Sequence, residues 1–170
     1  MSFIELDMDC KLFFKKGIRI NLSNRTTISK LESQSIQTMN NRHQWRFNVR
    51  QKLMEPGTLA FLAFIRKILM PLPGVTEKPC YSTPAFYVNK KIFCRLKEDC
   101  ETLLIQTDER KKWTDADPLT FFVTDHYLST DYMLVTLQTV SPDDLKSLLL
   151  TAWRNRAPKK LLEEYERLTI

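Results

Sequence analysis

Residues 85–97 read AFYVNKKIFCRLK, and this run decides the fold class. It contains two apolar, strand-like segments, 85–88 and 91–97, on either side of the dipeptide Asn89-Lys90. A short polar dipeptide between two such segments is typical of a tight β-hairpin. Alternation along the second segment predicts two faces, one with Ile92, Cys94 and Leu96 and the other with Lys91, Phe93, Arg95 and Lys97. The run therefore predicts a pair of antiparallel strands.

Further strands are predicted downstream of this hairpin. Segments 102–106 and 121–124 are short and apolar, which is typical of buried strands. Residues 132–139 alternate between two sets, one with Met133, Val135 and Leu137 and the other with Tyr132, Leu134 and Thr136. These segments extend the hairpin into a sheet.

Helices are predicted before, between and after the strands. An apolar face of helical period runs from Leu59 to Leu69 with Thr58 as its N-cap, and the prolines and glycine of residues 71–74 end it. Ser141 and Pro142 with the two acidic residues that follow are a strong helix start. Apolar residues then recur every three or four positions as far as Trp153. Shorter helices are predicted at 108–116 and after Pro158.

This order of elements predicts one α+β domain at residues 56–170, in which an antiparallel β-sheet packs against helices. Residues 1–55 are interpreted as a basic N-terminal extension, partly disordered or extending the first helix, because 21–41 are polar and without period. Met39 is an alternative start of translation, in which case residues 1–38 would not be translated. The basic amphipathic segment 42–52 could contact DNA, contact a protein partner or extend the first helix.

The composition is that of an ordinary globular protein, with 43% hydrophobic and 27% charged residues. No apolar run approaches the ~20 residues of a membrane-spanning helix, and charged residues interrupt the N-terminus where a signal peptide would be apolar. We therefore expect a cytoplasmic protein without a membrane partner. The four cysteines, Cys10, Cys80, Cys94 and Cys100, form no C-x-x-C pair and are expected to be reduced and mostly buried.

The net charge of +6 is distributed unevenly. Residues 1–55 hold ten Lys/Arg and five Asp/Glu, whereas residues 56–170 hold sixteen and fifteen. A nucleic-acid surface on the predicted domain must therefore be a local patch, because the domain as a whole is almost neutral.

Several motifs occur in an order and spacing that are typical of one family. They are 73–78 (PGVTEK), 83–86 (TPAF), 91–93 (KIF), 121–127 (FFVTDHY), 153–154 (WR) and 157–159 (APK). Through them, residues 57–168 resemble the MmcQ/YjbR family of small bacterial proteins, and residues 1–55 lie outside the resemblance. The resemblance implies a CyaY-like, double-wing fold and a DNA-binding function, although a shared fold does not by itself fix a function.

Two basic clusters are the candidate DNA-binding residues. The first lies in the hairpin and comprises Lys90, Lys91, Arg95 and Lys97, with Phe93 placed to stack on a base or simply to lie on the sheet. The second lies between the last two helices and comprises Arg154, Arg156, Lys159 and Lys160. The alternatives are lysines that guard a strand edge against aggregation and cations that complement a helix C-terminus.

No catalytic apparatus is evident, so we expect a binding protein that is not an enzyme and has no cofactor or metal. Asp125-His126-Tyr127 is the one constellation suggestive of chemistry, but no serine or cysteine nucleophile accompanies it. His126 is predicted to be a hydrogen-bonding residue at a strand end, and His43 is too isolated to suggest a two-histidine metal site. The family resemblance favours a DNA-binding domain. The charge distribution favours the alternative, a protein-interaction or small-ligand module on the same fold, without affinity for nucleic acid.

Overall fold

The computed structural model describes residues 37–38, 41 and 44–169. The first three belong to a unit at Met1–Asn41, and the others belong to a second compact unit, Arg42–Ile170, which is the domain described below. Predictions that concern the remaining residues, including Cys10, His43 and most of the N-terminal extension, lie outside the described part of the chain.

The domain alternates helices with short strands. Its helices are α1 (44–53), α2 (Pro56–Leu69), α3 (Arg110–Ala116), α4 (Pro142–Arg156) and α5 (Lys159–Thr169). Its strands are β1 (Val75–Cys80), β2 (Thr83–Val88), β3 (Lys91–Leu96), β4 (Thr102–Gln106), β5 (Phe121–Phe122) and β6 (Tyr132–Thr136), and a 3₁₀ turn occupies Asp125–Tyr127. No helix in the described part of the chain is long and apolar enough to cross a membrane.

The six strands form one antiparallel sheet in the order β1-β2-β3-β4-β6-β5. Phe86, Cys94, Ile105 and Met133 are successive cross-strand neighbours, and all four are buried in the core. Helices α2 and α4 contact each other, and α4 also contacts β3 and β4. The predicted α+β fold with helices on an antiparallel sheet is confirmed.

Helix α4 follows its sequence pattern closely. The hydroxyl of Ser141 accepts a hydrogen bond from the backbone N–H of Asp144 (3.1 Å), so it is the predicted N-cap. The buried residues of the helix are Leu145, Leu148, Leu149, Ala152 and Trp153, which are the apolar positions of the pattern. The indole N–H of Trp153 also donates to the Pro73 carbonyl (3.2 Å), which joins α4 to the loop before β1.

The predicted hairpin is present, but the alternation predicted for its second strand is wrong at Phe93. Asn89 and Lys90 both have positive φ (49° and 64°), as a two-residue type I′ turn requires. Phe86 pairs with Cys94 while Tyr87 pairs with Ile92, so Phe93 has no register partner and forms a bulge. The extra residue lets Phe93 and Cys94 both enter the core, with 0% and 1% of their surfaces exposed.

Other differences from the predicted elements have local causes. Helix α2 begins at Pro56 with Glu55 as its N-cap, and Thr58 is instead a buried helical residue. Strand β1 was not predicted because its sequence lacks a clear alternation of apolar and polar residues. Thr76 and Lys78 are exposed, and the residues on either side of Thr76 are only half-buried. Pro84 lies in an interior strand, where it lacks a ladder N–H. The neighbouring Thr83 hydroxyl donates to the Leu96 carbonyl on β3 at 2.6 Å.

Helix α1 packs against the same domain. Val49 is buried, and Leu53 contacts the core cluster. At the same place, the Nζ of Lys52 donates to the Asp99 carbonyl (3.3 Å), between β3 and β4. Residues 44–53 therefore contribute apolar contacts to the domain that follows them.

Candidate nucleic-acid interface

Lys90 and Lys91 lie at the tip of the β2–β3 hairpin. Both side chains are exposed, and Lys90 occupies the second position of the turn. Within residues 44–169, no carboxylate lies within ion-pair distance of either ammonium group. The turn therefore presents two adjacent positive charges to solvent.

The four basic residues around the α4–α5 junction differ in the contacts that they make with the rest of the protein. Arg156 is half-buried, and its Nη2 contacts both carboxylate oxygens of Asp131 at 3.0 and 2.8 Å. Lys159 makes a long, exposed ion pair with Glu163 (3.9 Å). Arg154 is exposed and lies over the Tyr165 ring, with 5.8 Å between the guanidinium carbon and the ring centre. Lys160 is exposed, and no ion pair joins it to the described residues.

Tertiary contacts bring the hairpin tip and this junction to the same end of the sheet. The Tyr132 hydroxyl, at the start of β6, donates to the carbonyl of Ile92, the residue after Lys91, at 2.8 Å. Asp131 precedes Tyr132 and binds Arg156 at the end of α4. We call this region the cationic end; it comprises Lys90, Lys91, Arg154, Arg156, Lys159 and Lys160.

Arg95 and Lys97 do not belong to the cationic end. Lys97 follows β3, and its backbone N–H donates to Thr102 at the start of β4 (2.8 Å), at the opposite end of the sheet. Six residues of strand separate it from Lys91, or about 20 Å. The structure thus divides the hairpin cluster, with two members at each end.

Both residues are engaged within the protein. The Arg95 side chain is 5% exposed, and its Nη1 donates to Glu98 Oε1 at 2.7 Å. Burial by itself lowers the pKa of Arg95, but the hydrogen bond and the charge of Glu98 outweigh it and hold that pKa above its ordinary value. Lys97 Nζ lies 3.7 Å from Glu98 Oε2 and 3.5 Å from the Tyr127 hydroxyl. Arg95 therefore offers little charge to an external phosphate.

Asp125-His126-Tyr127 forms the 3₁₀ turn between β5 and β6. His126 is exposed, and its ring meets the Tyr127 ring edge-on at 4.7 Å. The structure places it in an exposed turn with a ring contact, and the hydrogen-bonding role expected of it stays a prediction. The Tyr127 carbonyl accepts from Arg110 Nη1 (3.0 Å), which ties this turn to α3.

The cysteines and carboxylates show no metal site within the described part of the chain, where no group of three or more potential ligands converges. The described cysteines, Cys80, Cys94 and Cys100, form no disulfide. Burial raises the pKa of Cys94 strongly and raises that of Cys100 to about 11, so both thiols are neutral and poorly nucleophilic near pH 7.

Sequence reasoning missed the partners that decide which cations are available. Glu98 was detectable in principle, because it lies three residues after Arg95 in an acidic turn. Asp131 was not, because it lies 25 residues from Arg156 in the chain. Tyr81, whose ring lies 4.8 Å from the Arg95 guanidinium carbon, was also missed.

One family model matches this chain. The family model described as YjbR matches residues 70–155, about half of the chain. A search of curated proteins found no match. Among solved structures, the crystal structure of Deinococcus radiodurans protein DR2400, with the domain DUF419, is similar to this chain. The identity is 21%, the match covers 52% of this chain and 72% of that one, and the TM-score is 0.47.

Proposed function

Because the chain belongs to the YjbR family, we propose that it is a non-enzymatic DNA-binding protein that contacts phosphates through the cationic end of its sheet. The observation that carries this proposal is the placement of six basic residues, from the β2–β3 hairpin, α4 and α5, at the same end of the sheet. Only Asp131 and Glu163 form ion pairs with them in the described part of the chain. Six basic residues of a domain of nearly neutral overall charge thus lie at one end of its sheet, and two of them are ion-paired within the described residues.

The availability of each cation sets the expected strength of binding. Lys90, Lys91, Arg154 and Lys160 are exposed and have no carboxylate partner among the described residues, whereas Arg156 and Lys159 must give up an ion pair to meet a phosphate. Each phosphate contact on duplex DNA contributes about −0.9 to the slope of log K against log salt. Four such contacts predict a slope of roughly −3.6.

The test is a titration of a labelled duplex with the full-length protein at several salt concentrations. The double variant Lys90→Gln/Lys91→Gln should bind more weakly and show a slope that is flatter by about 1.8. The variant Arg154→Gln/Lys160→Gln should behave in the same way.

A matched control removes two positive charges elsewhere. Lys78 lies in β1 near the β1–β2 turn, and Lys146 lies in the first half of α4, so both exposed residues are remote from the cationic end. Lys78→Gln/Lys146→Gln should leave the slope unchanged. Equal losses in all three variants would mean that net charge alone drives binding. A wild-type protein that binds no duplex at low salt would refute the proposal and favour the protein-interaction module.

A further inference from the structure

Helix α1 has two sides of different character. Val49 is buried and Leu53 contacts the core cluster, so these two residues fix the helix to the domain. Phe47 and Met54 lie on the other side, seven positions apart, and 55% and 67% of their surfaces are exposed. Met54 continues the last turn of the helix, because its backbone N–H donates to the Gln51 carbonyl (3.0 Å). The helix therefore presents two large apolar side chains to solvent on one line.

Two arginines lie beside this apolar pair. Arg46 and Arg50 are exposed and four residues apart, and Arg50 is three residues after Phe47 and four before Met54, so all four are neighbours on the helix surface. No ion pair joins either arginine to the described residues. We call these four residues the α1 face. It combines accessible apolar surface with two positive charges that the described residues do not neutralise.

The α1 face is remote from the cationic end. Helix α1 packs at the turn between β3 and β4, where Cys100 Sγ lies 4.0 Å from the Val49 carbonyl and Lys52 Nζ donates to the Asp99 carbonyl (3.3 Å). This turn follows the end of β3 opposite to Lys91, about 20 Å along the strand. A ligand of the α1 face therefore binds separately from one at the cationic end.

The composition of the α1 face favours a protein partner over nucleic acid and lipid. Phosphates would pair with Arg46 and Arg50 but would leave Phe47 and Met54 in water. A membrane would take up the two apolar side chains, but it would also have to bury the exposed amide of Gln51, which neighbours both on the helix surface. Aromatic residues, Met and Arg are the residue types enriched in protein–protein interfaces.

We propose that the α1 face docks an acidic amphipathic helix of a partner protein. Apolar residues of that helix pack against Phe47 and Met54, which is the usual contact between amphipathic helices. Its carboxylates, spaced four residues apart, match the spacing of Arg46 and Arg50, and each guanidinium can bind a carboxylate through two parallel hydrogen bonds. The apolar contact supplies affinity, and the charges select an acidic partner. This interaction does not depend on the DNA binding proposed above.

The experiment measures fluorescence anisotropy of three labelled peptides with the full-length protein. The acidic peptide is an amphipathic helix of about twenty residues, with leucines along one face and glutamates beside them. The second peptide has lysines in place of the glutamates, and the third has the composition of the acidic peptide in scrambled order. The wild type should bind the acidic peptide and neither of the others.

The apolar half of the face is tested by Phe47→Gln/Met54→Gln. This variant should bind the acidic peptide about 5- to 30-fold more weakly, as expected for truncated interface anchors. The matched control is Leu128→Gln/Leu168→Gln, which removes two exposed leucines (61% and 73%) from other elements and should bind the peptide as the wild type does. Because the substituted side chains are all exposed, both variants should keep the unfolding transition of the wild type.

The charged half is tested by Arg46→Gln/Arg50→Gln. This variant should bind the acidic peptide about 2- to 30-fold more weakly, with a smaller loss at high salt. Its matched control, Lys90→Gln/Lys91→Gln, removes the same charge from the cationic end and should bind the peptide as the wild type does. Duplex titrations should show the opposite order of the two variants, so this proposal and the DNA-binding proposal can fail independently.

Three results would overturn the docking of an acidic helix. The first is a wild-type protein that shows no saturable binding of the acidic peptide at low salt. The second is equal binding of the scrambled or the lysine peptide, which would show that neither the apolar stripe nor the charge is recognised. The third is a Phe47→Gln/Met54→Gln variant that keeps peptide binding but loses binding of phosphatidylglycerol vesicles or of duplex DNA, which would assign the α1 face to lipid or nucleic acid.

Discussion

The ion pair between Arg95 and Glu98 leads to a prediction that separates a structural cation from a DNA contact. Glu98→Ala leaves the Arg95 guanidinium buried, with 5% of its side chain exposed and without the carboxylate 2.7 Å away. Removing one partner of a buried pair costs about 3–5 kcal/mol. Because the Glu98 side chain is itself 23% exposed, water can partly replace it, and we expect a loss of roughly 2–3 kcal/mol.

This loss should be visible in urea unfolding followed by tryptophan fluorescence. For a chain of this length it corresponds to a decrease in Tm of roughly 4–12 °C. The double variant Arg95→Met/Glu98→Ala removes the stranded charge, so it should be more stable than Glu98→Ala alone. A matched control is Asp115→Ala, because the Lys111–Asp115 pair has the same 2.7 Å distance but side chains 87% and 62% exposed. That substitution should have no measurable effect.

Two results would refute this reasoning. One is a Glu98→Ala variant as stable as Asp115→Ala, which would show that water replaces the carboxylate fully. The other is a double variant at least as unstable as Glu98→Ala, which would show that packing and not charge determines the loss. If Arg95 is structural, the double variant should also bind duplex DNA with wild-type affinity, in contrast to changes at Lys90 and Lys91.

Three further predictions concern stability. Gly74→Ala should lower the free energy of unfolding by about 1–3 kcal/mol in thermal unfolding, because Gly74 has φ +72° and an added Cβ would meet the Leu161 side chain. The control Gly57→Ala, whose Cβ would meet nothing in α2, should be neutral or stabilising, and equal losses would contradict this prediction. A protein that begins at Met39 should keep a cooperative thermal transition, whereas one that begins at Pro56 should lose roughly 2–3 kcal/mol of stability with the contacts of α1. If the protein that begins at Met39 shows no such transition, the first 38 residues are required for folding. Burial raises the folded-state pKa of Cys100 to about 11. The stabilising contribution of the neutral thiol is therefore complete below the unfolded thiol pKa of about 8.5 and declines as the pH rises through 11. The free energies of unfolding of the wild type and of Cys100→Ala should converge over that range, and a constant difference would contradict a neutral buried thiol.

Local chemistry made much of the fold predictable. The hairpin depends on two turn residues and their flanking strands, and α4 depends on one cap and a period of 3.6 residues, so each signal lies within about fifteen residues. The family resemblance was likewise readable, because its motifs are short segments in a fixed order. The eight basic candidates were identifiable by residue type.

Tertiary structure alone decided what those eight residues can do. The bulge that turns Phe93 into the core depends on the register between β2 and β3, which alternation within β3 cannot specify. The cationic end depends on contacts between residues far apart in the chain, such as Tyr132 with Ile92 and Arg156 with Asp131. The sequence determines how many charges the protein has, but electrostatic interaction depends on distance and burial. Folding therefore decided that Arg95 is neutralised by Glu98 and that Lys90 and Lys91 remain exposed.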